Sequence, residues 1–300
     1  MTTRVNLETV INSTIYNVQR STSNLSKLQE QISTGKKVNR PSDAPAGARQ
    51  ILSLRSEARK LDQYASNVKT ATQSLNFNAS TLQGTANILQ RIQELTMQGI
   101  NSTTDADGRK AIASEINELA ESVLQSANST RQGRYIFAGT KTKTVPFEAT
   151  RNTNGEISAV TYKGNLEKIE YQVGVSATAQ VNQAGKEVFI DNKLFSAIIK
   201  IRDDFATGTA VTAQSELDNL KSAQTTVLNT VAKAGGIANT LELTDNKITD
   251  VKLSLNEMLA TTESADITEL VLKLKEQENI YQASLASGSV IFNTSILNYL

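Results

Sequence analysis

Two heptad stripes, one at each end of the chain, constrain this sequence more than any other feature. Near the N-terminus Ile11, Val18, Leu25 and Ile32 recur every seven residues, with Leu7 and Leu28 at the companion position and Thr14 and Ser21 filling it elsewhere. Near the C-terminus Ile267, Val271, Leu274, Tyr281, Leu285, Phe292, Ile296 and Tyr299 fall at alternating three- and four-residue steps, and Leu300 closes the run. A helix places such residues on one apolar stripe, and that stripe must be buried. Stripes at both ends predict termini that pair with each other and with further subunits. Burying about seven side chains on the first helix falls well short of the backbone entropy lost on ordering about thirty residues. The two terminal helices alone are therefore expected to be marginal, with neighbouring copies adding burial.

Charge points the same way. Residues 1–40 carry six Lys or Arg against Glu8 and Glu30, a net of +4, whereas residues 262–300 carry two Lys against five carboxylates, a net of −3. Exposed ion pairs contribute only about 0.2–1 kcal/mol each, so charge helps to set register while burial supplies affinity. After Glu278 no charged side chain occurs through Leu300. Such a tail is unusual at a solvated terminus and natural inside a packed wall.

The rest of the composition excludes more than it selects. Over the whole chain 31 basic and 30 acidic residues leave a net charge of +1, with no basic excess for nucleic acid. The absence of His and Cys removes the usual general base, the commonest metal ligands and any thiol nucleophile. No catalytic centre, metal site or cofactor site is expected. No run approaches the ~18 apolar residues of a membrane span, and Met1–Asn6 is not followed by a signal-peptide core. Export, if it occurs, is expected to need no cleaved hydrophobic signal. Hydrophobic content of 39% with 5% aromatics suits an elongated helical bundle.

The three prolines fall at 41, 45 and 146, so long helices are permitted across most of the chain. The pattern predicts helices over 5–33, about 46–103, 109–131, Leu194–Phe205 and about 213–260, the last softened at Gly235-Gly236. Gly35 is expected to stop the first in a left-handed conformation, and Ser42 or Asp43 to cap the second with Pro45 in its first turn. After Gly133 the period becomes alternating. Tyr135–Gly139 reads as a short strand, and Val160, Tyr162, Ile169, Tyr171, Val173, Val175, Val188, Phe189 and Ile190 belong to strands, with Asn154-Gly155 as a hairpin turn. The fold class is mainly α with a small antiparallel β insertion. Its divisions are a terminal coiled-coil domain (1–40 and 262–300), a helical bundle (41–140 and 192–261) and a variable β domain (141–191).

Two carboxylate clusters invite a metal reading and fail it. With Gly108 set at the sixth position of a calcium loop, Thr103 and Ser114 fall where carboxylates are required. Asp105–Gly108 reads as a capping turn, with Asp107 next to a helix start. Asp203-Asp204 has no third ligand and reads as a solvated helix end. Gly235-Gly236 lacks the Lys-Ser/Thr of a phosphate loop.

The segment Ile32–Gly47, which contains Asn39, Arg40, Pro41, Asp43 and Gly47, resembles the N-terminal segment of bacterial flagellins and their relatives. Leu89–Leu95 followed by Arg109–Ile112 is similar to the next helical pair of that family. Gly133–Thr142, with Phe137, Ala138 and Gly139, followed by Pro146-Phe147 and the ending Ser295–Leu300, resembles the hook–filament junction branch. The resemblance implies a non-enzymatic adaptor that self-assembles into a short helical ring. Its implied partners are the first hook-associated protein on the hook side, flagellin on the filament side and an export chaperone at the C-terminal region. It implies an extracellular location reached through the flagellar type III apparatus, with no membrane or nucleic-acid partner. Two other readings stay open: a filament subunit itself, and a secreted module whose β segment binds a surface ligand.

Overall fold

Proline spacing and helix stops set the lengths of the principal elements. In the computed structural model, which describes residues 2–297 and the side chains of 8–290, six α-helices and three short hairpins follow one another along the chain. Helix α1 spans Thr2–Thr34 and stops at Gly35, whose φ of +68° is the left-handed conformation that favours glycine. Helix α2 starts at Pro45 and runs without interruption to Ile100. Asp43 does not cap it. Its carboxylate accepts instead from the backbone N–H groups of Arg40 (2.9 Å) and Asn39 (3.3 Å) and pairs with Lys27 (3.1 Å). Ala44 occupies the position before the helix, and its carbonyl accepts from Ala48 N.

Helix α3, Ala106–Ala127, begins where Asp105 caps it by accepting from Gly108 N at 2.8 Å. Asp107 lies in its first turn. Helix α4 covers Leu194–Ala206 and α5 covers Ala213–Glu263. Asp204 faces the start of α5, where its carboxylate accepts from Thr212 N, Thr212 Oγ1 (2.7 Å) and Ala213 N (3.0 Å). Gly235-Gly236 leaves α5 unbroken. Buried Ala234 and Leu241 on either side hold it against α2, so tertiary burial outweighs the glycine penalty. Helix α6 spans Ile267–Leu297.

The strands form three separate antiparallel pairs: β1 (Thr130–Arg131) with β2 (Arg134–Tyr135), β3 (Phe147–Arg151) with β4 (Ile157–Tyr162), and β5 (Glu170–Gln172) with β6 (Thr178–Gln180). Asn154-Gly155 turns between β3 and β4, with Gly155 at φ +83°. Two expected strands take other forms. Of the 135–139 segment only Tyr135 is extended, in β2 together with Arg134 before it. Gly139, at φ +68°, then lies so close to Asn165 that a Cβ would meet its backbone oxygen at 2.3 Å. Lys186–Ile190 is a π-helical turn, closed by Asp191 N donating to Lys186 O at 2.9 Å. Asn192 Nδ2 donates to Glu187 O at its end. Val175 stands exposed in the β5–β6 turn rather than in a strand.

The chain divides into two compact units, Met1–Lys60 with Asp250–Leu300, and Leu61–Thr249. In the second unit the hairpins lend their buried side chains to helical cores. Phe137, Phe147 and Ile157 join α2, α3, α4 and the start of α5, together with Phe189. Val173, Ala179 and Val181 join Val68, Ala71 and Leu75 of α2 and Leu241 of α5. Arg202, buried on α4, ties this unit together: it donates to Asp203 (2.6 Å), Asn117 on α3 (3.2 Å) and the Ile157 carbonyl on β4 (2.7 Å). Each of the three guanidinium nitrogens donates to an oxygen, which is the condition for burying it.

Candidate functional site

Helices α1 and α6 of the first unit lie against each other. On α1 the covered positions are Ile11, Thr14, Val18, Ser21, Leu25, Leu28 and Ile32, at unbroken three- and four-residue steps. On α6 they are Leu270, Leu274, Gln277, Tyr281, Ser284 and Gly288. This seam is small and polar at its centre. Gln277 Nε2 donates to the buried Ser21 Oγ at 2.8 Å. A Cβ on Gly288 would come within 3.2 Å of Thr14 Cγ2. Small residues let the backbones approach there.

The apolar C-terminal stripe divides accordingly. Leu274 and Tyr281 face α1, whereas Ile267, Val271 and Leu285 are exposed, at 44%, 42% and 45%. Leu272 and Ile280 also face outward. Counting apolar residues alone traces a path one residue away from the true seam, because Gln277, Ser284 and Gly288 carry no hydrophobic signal. The side chains of Leu7, Phe292, Ile296, Tyr299 and Leu300 lie outside the described ones. Among the described residues the α6 cations pair within their own helix, Lys273 with Glu269 (2.5 Å) and Lys275 with Glu278 (2.8 Å).

The turns that lead out of α1 and into α6 are clasped together. Lys36 and Ser264 form an isolated antiparallel bridge. Lys37 N donates to Glu263 O (2.7 Å) and Ala265 N to Gly35 O (3.0 Å). Glu263, which no motif had singled out, directs its buried carboxylate at Lys36 (2.5 Å) and Arg55 (2.6 Å). The segment resembling flagellins builds the rest of the turn. Asn39 Oδ1 accepts from Thr34 Oγ1 (2.8 Å), Arg40 pairs with Glu30 (3.2 Å), and Gln31 Nε2 donates to Lys37 O (2.8 Å). Pro41 is exposed. Gly47 has only ordinary contacts around its Cβ position, and nothing in the structure explains a need for glycine there.

Burial would raise the Glu263 carboxyl pKa, but the hydrogen bonds from Lys36 and Arg55 outweigh it and hold the group below its usual value of 4.5. A depressed folded-state pKa stabilises above the unfolded value, and that stability is lost as pH falls through the folded one. The Glu263→Gln variant is expected to cost about 1–2 kcal/mol at pH 7, since both cationic partners are partly exposed. Its deficit relative to the parent chain should shrink below about pH 4.5. Hydrogen-exchange protection of the Gly35–Lys37 and Glu263–Ala265 amides across pH reads this directly. Equal protection of the two proteins at pH 7 would refute the clasp.

The remaining motif residues lie in the second unit. Phe137 and Ala138 are fully buried. Tyr162 Oη lies 2.9 Å from the carbonyl oxygens of both Phe137 and Asn165, and burial raises its hydroxyl pKa to about 12. That arrangement fixes a turn; it offers no reacting group. Among the described residues no three His, Cys, Asp or Glu side chains converge as a metal site, and no helix is long and apolar enough to cross a membrane.

Comparison with known proteins places this architecture. The model of the bacterial flagellin N-terminal helical region matches residues 5–142. The chain is 30% identical over 284 residues to flagellar hook-associated protein 3 of Escherichia coli strain K12, covering 86% of this chain and 87% of that one. A putative flagellar hook-associated protein from Vibrio parahaemolyticus superposes with a TM-score of 0.66 at 22% identity, over 74% of this chain and 100% of that one. The flagellar junction protein of Legionella pneumophila gives a TM-score of 0.59 at 16% identity, over 73% and 99%.

Proposed function

We propose that this chain, which belongs to the flagellar hook-associated protein 3 family of flagellin-like proteins, is a structural adaptor at the junction between the flagellar hook and its filament. It assembles with copies of itself into a short ring, with the first hook-associated protein on one side and flagellin on the other. It acts outside the cell, after export through the flagellar type III apparatus, and an export chaperone engages its C-terminal region on the way.

One observation carries this reading. Helix α6 turns Gln277, Ser284 and Gly288 toward α1 between Leu270, Leu274 and Tyr281, and leaves Ile267, Val271, Leu272, Ile280 and Leu285 exposed. A helix that served only its own chain would cover those five side chains as well, because burial of large apolar side chains is the main source of stability. Residues 1–40 and 262–300 are then the polymerisation segment, with the outward side of α6 meeting neighbouring copies. Electron microscopy of cells lacking this protein tests the role. The expected result is hooks without filaments, with flagellin shed into the medium. Filaments of normal length on such cells would overturn it.

A further inference from the structure

The β1–β2 hairpin, outside the terminal segments given the assembly role, holds two arginines in an unusual arrangement. Arg131 and Arg134 are direct cross-strand partners, so both side chains leave the same face of the hairpin. Like charges opposed in this way are destabilising. The turn between them enforces the pairing. Gln132 and Gly133 have φ values of +53° and +73°, the pattern of a tight two-residue hairpin turn. Gln132 adopts a left-handed conformation that a non-glycine side chain rarely takes.

Both arginines line one open cleft of ≈ 140 Å³, together with Thr70 and Ser74 of α2, Tyr135 of β2 and Tyr171 of β5. Arg131 donates to Ser74 Oγ. Among the described residues neither guanidinium is paired with a carboxylate. The cleft therefore presents two uncompensated cations, surrounded by hydroxyl groups and with no anion supplied by its own unit.

We infer that Arg131 and Arg134 form a site for a single oxyanion group, a carboxylate or a phosphate, held between the two guanidiniums at the mouth of this cleft. Guanidinium forks match the planar or tetrahedral oxygens of such groups and bind them with charge-assisted hydrogen bonds. The Ser74 and tyrosine hydroxyls supply further donors. The oxyanion comes either from solution or from an acidic side chain of a neighbouring copy.

The test is a nuclear magnetic resonance titration of the full chain with inorganic phosphate, at constant ionic strength balanced with chloride. Saturable shifts are expected at the Arg131 and Arg134 Nε–H groups and at the Gln132 and Gly133 amides. Arg134 is exposed and donates no hydrogen bond within the described residues, so Arg134→Gln should fold normally and weaken phosphate binding at least about tenfold. Arg134→Glu places a carboxylate opposite Arg131. It should abolish the shifts and raise the thermal midpoint of the second unit. Shifts that stay linear in phosphate, that persist unchanged in Arg134→Gln, or a midpoint lowered by Arg134→Glu would overturn the site. Repeating the titration on assembled protein identifies the occupant. Phosphate excluded on assembly assigns the site to a neighbour's carboxylate; phosphate retained assigns it to a free ion, and either upholds the site.

Discussion

Phe189→Ala should destabilise the Leu61–Thr249 unit by about 3–5 kcal/mol, the cost of truncating a large aromatic in a core that cannot collapse around the void. Phe189 is fully buried. Its ring meets Phe137 edge-on at 5.3 Å, Phe147 edge-on at 5.2 Å and Phe195 at 6.2 Å. Each edge-on contact adds to the area term, and the three partners come from the β2–β3 connection, β3 and α4. Losing the hub therefore loosens three elements at once. For a unit of this size the midpoint of thermal unfolding should fall by roughly 6–20 °C. Phe189→Leu should cost less than about 1.5 kcal/mol if volume is what matters. Val175→Ala, at an exposed turn, should change stability by no more than about 0.5 kcal/mol. A loss below about 1 kcal/mol for Phe189→Ala would mean that the cluster relaxes, and that the aromatic residues are not what fixes the hairpins to the helices.

Phe189 also marks where sequence periodicity stopped being informative. Val188-Phe189-Ile190 reads as a buried strand because a short apolar β-branched run fits a strand as well as a single helical turn. The structure resolves the ambiguity through polar groups outside the run, Asn192 capping and the Asp191 N–H closing the turn. The same holds at Tyr135–Gly139, where burial of Phe137 and the left-handed Gly139 bend the chain inward after two extended residues. The long helices were far more legible. Wide spacing between prolines permits them, and their three- and four-residue apolar steps hold over many turns, so local errors average out. Gly235-Gly236 misled because helix propensity is a weak prior beside tertiary burial.

The terminal pair was half legible. On α1 the apolar heptads coincide with the covered positions, Ile11, Val18, Leu25 and Ile32 among them. On α6, among the described side chains, only Leu274 and Tyr281 of the stripe are covered, and the seam is completed by Leu270, Gln277, Ser284 and Gly288. Glu263 and Arg202 left no trace in the sequence. Each is one ordinary charge among many until the fold brings cations to Glu263 from residues 36 and 55, and oxygens to Arg202 from α3 and β4. Partnerships between residues so far apart in the chain have no local signature.

The division on α6 leads to the largest expected effect on assembly. Leu272→Ser combined with Leu285→Ser removes two large side chains that are exposed in the single chain, at 68% and 45%. Neither change touches the α1 seam, so the helical protection of α1 and α6 in hydrogen exchange should stay as it is. If neighbouring copies cover these positions, each lost side chain forfeits about 1–2 kcal/mol of burial, since each is already partly covered. A combined loss of about 2–4 kcal/mol per contact raises the critical concentration for polymerisation roughly 30- to 10³-fold. Sedimentation of assembled from unassembled protein measures it. Gly288→Leu supplies the contrast. A Cβ there already comes within 3.2 Å of Thr14 Cγ2, so a leucine should push the helices apart and lower both the protection of the pair and the capacity to assemble. The two variants thus separate an outward surface from an inward seam. Normal assembly of the double serine variant, or loss of protection in it, would show that the exposed leucines do not meet a neighbouring copy.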